Sequence, residues 1–173
     1  MKESHFAVFI RRAIKDDSKD VWEWRNDPIT KANSINTYDV SWDTHDAWYK
    51  KSLKNQNRFL YIGMNQSSEK IGMCRFDLLK NGAEVNINLN PLFRNLRLSV
   101  PFLTNAINMF YQAEKKDIDL LATIKHLNYS SIRLFEKTCF FNIRSDNEYK
   151  YFIYKRRPFN LMCSETHLKS LDK

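Results

Sequence analysis

Apolar and polar positions alternate most cleanly over residues 83–90, AEVNINLN, with Val85, Ile87 and Leu89 on one face and Glu84, Asn86, Asn88 and Asn90 on the other. That period predicts a half-buried strand. Two earlier stretches, RFLYIGM (58–64) and KIGMCRFDLL (70–79), are rich in β-formers and predict two more strands, and Gly82 after Asn81 marks a hairpin turn before the third. FAVFIRRAI (6–14) predicts a first strand of the same character. Elsewhere the spacing is helical. Phe102, Leu103, Ala106, Met109 and Phe110 form one stripe of a long helix over 100–115, with Pro101 in its first turn. A short helix through KDVWEWRND takes its cap from Asp16, Asp17 or Ser18 and stops at Pro28. A second runs through VSWDTHDAWYKKSLKN, with Asp43 or Thr44 as cap and Ala47, Trp48 and Leu53 near helical spacing. IDLLATIKH predicts a buried strand, NYSSIRLFEKTCFF a short helix capped at Asn128, and FNIRSDNEYKYFIYKRR two strands around a polar turn.

The order is β–α–α–β–β–β–α–β–α–β, with the last strand split. Three successive strands without intervening helices exclude a doubly wound nucleotide fold. A meander followed by a crossover helix and a parallel partner predicts a mixed α/β (α+β) sandwich with helices on both faces. At 173 residues the chain fits one domain, expected over residues 1–157, with 158–173 as a tail that is helical or loose.

Composition changes this picture little. A hydrophobic fraction of 43% with 12 Phe, 8 Tyr and 4 Trp fits a folded body. No apolar run is long enough to span a bilayer, and arginines interrupt MKESHFAVFIRRAI too early for a signal peptide. Cys74, Cys139 and Cys163 are odd in number and form no CxxC pair, which argues against zinc or a disulfide framework and for a reducing cytoplasm. The net charge of +8 suits an anionic partner such as a nucleotide cofactor or sugar nucleotide. Nucleic acid is disfavoured, because the aromatics do not interleave with a continuous basic stripe.

Candidate chemistry gathers where the alternating strand meets the long helix, in NPLFRNLRLSV. A basic turn entering a helix N-terminus is suited to an anion, yet this one has no glycine to bring its backbone close. The element order and this turn resemble the GNAT acetyltransferase superfamily from about Phe6 to Arg157. The family's cofactor-loop pattern, Gln/Arg-x-x-Gly-x-Gly/Ala, reads here Arg94-Asn95-Leu96-Arg97-Leu98-Ser99 after Asn90-Pro91. Its later pattern, Asn-x-x-Ala/Ser-x-x-Leu-Tyr/Phe-Glu-x-x-Gly-Phe, reads Asn128 to Phe140, with Ser131, Leu134, Phe135 and Glu136 in register and Cys139 in the glycine's place. VWEWRNDP, INTYDVSWDTHDAWYKKSL and KIGMCRFDLL are most similar to N-acetyltransferases of nonulosonic-acid (pseudaminic-type) sugar-nucleotide pathways.

The resemblance implies a mixed, mostly antiparallel sheet whose parallel fourth and fifth strands splay to admit acetyl-coenzyme A. It implies pyrophosphate contacts from Arg94, Asn95, Leu96, Arg97, Leu98 and Ser99, pantetheine contacts at the main chain of Leu89, and further cofactor contacts at Asn128 and Ser131. Glu84 matches the family's general base, although a glutamate after a turn also reads as solvent-facing charge; His45 and His126 are rivals. Phe135 stands where many relatives keep a tyrosine acid. Arg25, Asn26, His45 and Trp48 are the acceptor-side residues, and no metal is implied. The expected activity is acetyl transfer to the amine of a small acceptor, an amino-sugar nucleotide. The alternatives are acetylation of a protein N-terminus or other amine, and a non-catalytic binding module of GNAT shape. Pairing of sheet edges in a homodimer is also expected.

Overall fold

The computed structural model of the chain describes residues 7–114 and 117–156. Its strands are β1 (Phe9–Arg12), β2 (Arg58–Met64), β3 (Lys70–Leu79), β4 (Gly82–Leu89), β5 (Leu120–Lys125), β6 (Phe141–Ser145) and β7 (Tyr149–Tyr154). Its helices are α1 (Ser18–Asn26), α2 (Pro28–Asn33), α3 (Trp42–Lys54), α4 (Ser99–Glu114) and α5 (Tyr129–Lys137). The strands form one sheet in the order β1-β2-β3-β4-β5-β7-β6. β4 and β5 run parallel, and the other neighbours are antiparallel. The expected mixed sheet is therefore present, including the split last strand. Phe6, Lys115 and the tail from Pro158 lie outside the described residues.

The alternation in β4 does what its pattern requires. Ala83, Val85, Ile87 and Leu89 join the core that α4 and α5 cover, with Phe76, Phe102, Phe110 and Leu120 at its centre. The Phe76 and Phe110 rings stack at 4.4 Å. Gly63 allows α4 this close, since a Cβ there would lie 2.7 Å from the Phe102 ring. A second, smaller core on the opposite face joins Val21 and Trp24 of α1 and Tyr49 of α3 to Leu60, Ile62 and Met73.

One buried carboxylate fastens that second layer. Asp17 is fully enclosed and accepts from Arg11 Nη1 and Nη2 (2.7 and 2.8 Å) and from the Ile14 N–H (2.9 Å). Lys70 Nζ lies 2.8 Å from it and 2.5 Å from Asp20. Burial alone would raise the Asp17 pKa, but the hydrogen bonds from Arg11, Ile14 and Lys70 outweigh it and carry the value down to about 2.

The sequence reading missed α2. The first helix does end before Pro28, at Asn26, but Pro28 also occupies the first turn of a new one. Asp27 caps it by accepting from the Thr30 N–H at 2.9 Å. Asp-Pro is a start signal as well as a stop signal, because the proline's missing N–H costs nothing at that position.

Candidate active site

β4 and β5 pair only through Ala83↔Leu120 and Glu84↔Leu121. β4 nevertheless stays paired to β3 as far as Leu89, and β5 to β7 as far as Lys125. The two parallel strands therefore part after Glu84, and the gap widens toward their carboxyl ends. The Ala83 N–H donates toward β5, to Asp119 O at 2.9 Å, whereas the Asn90 N–H donates toward β3, to Ile71 O at 3.0 Å. Main-chain polar groups alternate in direction along a strand, so those of Ile87 and Leu89 face the gap. Such an edge can take an extended chain as a further strand. From Glu84 to Leu89 it offers about 17 Å of extended backbone.

Both strands run out into helix N-termini at the open end. β5 leads to α5, where Asn128 Oδ1 accepts from the Ser131 N–H (3.1 Å) and from Ser130 Oγ (3.0 Å). β4 leads through a 3-10 turn at Pro91–Phe93, capped by Asn90, into the loop before α4. In that loop Asn95 has φ 62° and Arg97 φ 59°. Those are left-handed values that glycine adopts without cost and other residues do not. Cys139, at the other replaced glycine, has φ 64°. The chain thus keeps the glycine backbone without glycine.

Leu98 is buried and pins the loop to the core. Among the described residues, the N–H groups of Asn95, Leu96, Arg97, Leu98, Ser99 and Val100 donate to no protein acceptor. The Arg97 side chain is exposed and makes no hydrogen bond or ion pair among the described residues. Uncapped N–H groups at the head of a 16-residue helix, with an exposed arginine in the same loop, fit a diphosphate. Arg94 differs from the expectation of a phosphate contact. Its Nη2 binds Asp27 Oδ1 (2.6 Å) and Thr30 Oγ1 (2.7 Å), which ties the loop to α2. Thr30 Oγ1 in turn lies 3.3 Å from Asn88 Oδ1 on β4.

The left-handed conformation of Arg97 has a measurable consequence. Arg97→Gly relieves the backbone strain and Arg97→Ala keeps it, so the glycine variant is expected to be more stable by about 1 kcal/mol. In thermal denaturation that is a midpoint higher by about 2–4 °C for a chain of this size. Equal midpoints would mean that the loop does not hold this conformation.

Glu84 stands where the strands part. It is half-buried, lies directly across from Asp77 on β3, and makes no hydrogen bond or ion pair among the described residues. It shares its face of the sheet with Arg75, Asp77, Asn86 and Asn88, and Asn86 is exposed although β4 is a central strand. An acceptor can reach the apex from that side. Asp77 is not available to it, being held by Arg58 and, at 2.8 Å, by Arg75 Nε. The Trp48 ring lies beside both guanidiniums, at 5.6 and 5.9 Å. Phe135 is buried edge-on against Phe140 at 4.8 Å and has no proton to offer.

Three residues expected to contact the acceptor have partners within the fold. His45 is only 3% exposed and packed among Trp42, Trp48 and Tyr49. Its Nε2 is 2.8 Å from Ser18 O, and a carbonyl only accepts, so Nε2 carries the proton; burial lowers its pKa. Arg25 Nη2 donates to Asn36 O (2.8 Å), and Asn26 bonds both the carbonyl and the N–H of Val40 (2.8 and 2.9 Å). Arg25 and Asn26 thereby brace the connection from α2 to α3. His126 Nε2 lies 2.6 Å from Asp146 O. Of the acceptor set, Trp48 remains at the open face. Sequence reasoning overlooked Arg75 and Asp77, although their alternation with Cys74 and Phe76 puts two charges on one face of a buried strand.

Comparison with known proteins agrees with this geometry. No curated protein sequence matches the chain. Among solved structures, the Vibrio cholerae spermidine N-acetyltransferase in complex with CoA and spermine is similar at a TM-score of 0.75, with 13% identity over 86% of this chain and 95% of that one. A domain from Methanocaldococcus jannaschii is similar at 0.74, with 18% identity over 87% and 99%. The Campylobacter jejuni N-acetyltransferase PseH in complex with acetyl coenzyme A is similar at 0.67, with 14% identity over 87% and 100%. These likenesses are of fold. Residues 8–156 match the family described as "Acetyltransferase (GNAT) domain", and the chain belongs to that family.

Proposed function

We propose that the chain transfers the acetyl group of acetyl-coenzyme A to the amine of a small acceptor, an amino-sugar nucleotide of the nonulosonic-acid kind. The observation that carries the transfer is the joint geometry of the widening gap between β4 and β5: among the described residues it has a free strand edge at Ile87 and Leu89, uncapped N–H groups from Asn95 to Val100 at its mouth, and an unpaired carboxylate at its apex. Acetyl-coenzyme A supplies the activated acetyl group. The loop donors, with Arg97, Asn128 and Ser131 around the mouth, hold its phosphate end, and the main chain of Leu89 aligns its arm toward the apex. There Glu84 takes a proton from the acceptor amine, directly or through water, as the new C–N bond forms and the C–S bond breaks. The thiolate takes its proton from water, since Phe135 has none.

The acceptor class is supported by similarity of fold to PseH and by the basic character of the chain. The same reading places the enzyme in the cytoplasm, where acetyl-coenzyme A is at hand. It also allows a homodimer: β6 ends the sheet, is exposed along its length, and shows Phe141 and Ile143 to solvent. A free edge of this kind pairs readily with a second copy.

The test is thiol release from acetyl-coenzyme A in the presence of amino-sugar nucleotides, peptides with free N-termini, and polyamines. Release with the amino-sugar nucleotides at the highest kcat/KM is expected. Faster release with peptides or polyamines would reassign the acceptor, and none with any amine would leave a binding module.

A further inference from the structure

We infer that Arg75 determines acceptor specificity by binding an anionic group, a phosphate or a carboxylate, carried on the same molecule as the reacting amine. The inference rests on the acetyltransferase reading above. Arg75 projects from the middle of β3 onto the open face and keeps 24% of its side chain exposed. Its Nε lies 2.8 Å from Asp77 Oδ2, but at an angle that leaves this buried N–H without a hydrogen bond. Its two terminal amino groups have no partner among the described residues. Trp48 lies beside the guanidinium and restricts where it can point. A planar, partly ordered guanidinium with unused donors is suited to a two-pronged contact with an oxyanion.

Charge on this face supports the same conclusion. Asp77 is shared between Arg58 and Arg75, so one positive charge is left over. Lys125, on the same face of β5, bonds among the described residues only the carbonyl of Ala32 (3.2 Å), which does not neutralise it. Against these three cations stand Asp77 and Glu84. A polyamine would meet net repulsion here. An amine that also carries an anion is matched at both ends, with the amine at Glu84 and the anion at Arg75. Arg75 pairs with Asn86, and Glu84 with Asp77, so the two are diagonal neighbours on adjacent strands. Such positions are about 7–8 Å apart along the backbone, close enough for one small acceptor to reach both side chains.

The experiment compares kcat/KM for glucosamine 6-phosphate, UDP-glucosamine and 2-amino-2-deoxyglucuronate with that for glucosamine, in the parent and in Arg75→Gln. The first two probes carry phosphate and the third a carboxylate, so the anion preferred is read directly. The parent is expected to favour at least one anionic amine by about 10–100-fold. Arg75→Gln is expected to lose that preference through KM, with little change toward glucosamine and with coenzyme A binding retained. No anionic preference in the parent, or a preference that survives in Arg75→Gln, overturns the inference. Failure of coenzyme A to bind the parent would instead remove the acetyltransferase reading beneath it. If Arg75→Gln does not fold, Arg75→Lys decides: lysine keeps the charge but not the two-pronged contact, and an unchanged preference sinks the assignment.

Discussion

Glu84→Gln is expected to slow acetyl transfer by about 10²–10⁴-fold while leaving coenzyme A affinity and stability near the parent's. The large effect on rate follows from position. Glu84 is at the last paired position before β4 and β5 separate, so it adjoins the deepest point an extended chain in the gap can reach. The small effect on stability follows from its lack of partners, because glutamine there breaks no hydrogen bond or ion pair among the described residues. The deficit should be largest at low pH, where the acceptor amine is protonated and must lose a proton on the enzyme. It should shrink as rising pH supplies neutral amine from solution. A rate and pH profile equal to the parent's would remove Glu84 as base and leave it a surface charge.

Asp17→Asn is the substitution expected to cost the most stability, about 2–3 kcal/mol. It leaves Arg11 and Lys70, each partly exposed, facing an uncharged amide at an enclosed position, with Lys70 still paired to Asp20. Thermal denaturation should register a midpoint lower by about 10 °C. The pH dependence has a definite sign. The folded-state pKa of Asp17 is about 2, against an ordinary 3.8, so the unfolded chain binds the proton first as the pH falls. The stability this carboxylate contributes is full above about pH 4 and is lost as the pH falls through 4 toward 2. Asp17→Asn should lack that part of the acid transition. A parent and variant with parallel stability curves across this window would show that the cluster is not held by the carboxylate's charge.

Much of the fold was legible because β4 alternates and α4 carries one continuous apolar stripe. Patterns of that length admit one reading. What escaped was short or ambiguous. Asp27-Pro28 can end a helix or begin one, and only the capping bond to Thr30 decides. The loop was harder still, since Arg97 argues against a glycine conformation by its side chain and yet adopts it. Nothing local announces this; burial of Leu98 and the tether from Arg94 to Asp27 impose it from both sides. On the acceptor side, residue type misled. Arg25 and His45 looked like ligands for a substrate because they are polar and lie beside tryptophans, but Arg25 Nη2 and His45 Nε2 each meet a main-chain carbonyl. Arg75 was passed over because a charge inside an apolar strand reads as an exception, although such exceptions on a central strand mark an open face.

The central claim is that the main-chain donors from Asn95 to Val100 clasp a diphosphate without glycine. Thermal denaturation with added coenzyme A, set against pantetheine, which has the same arm and thiol but no diphosphate, tests it most directly. Coenzyme A at 100 times its dissociation constant is expected to stabilise the protein by about 2.7 kcal/mol, and pantetheine at equal concentration by far less. Equal shifts from the two compounds, or none from either, would contradict it.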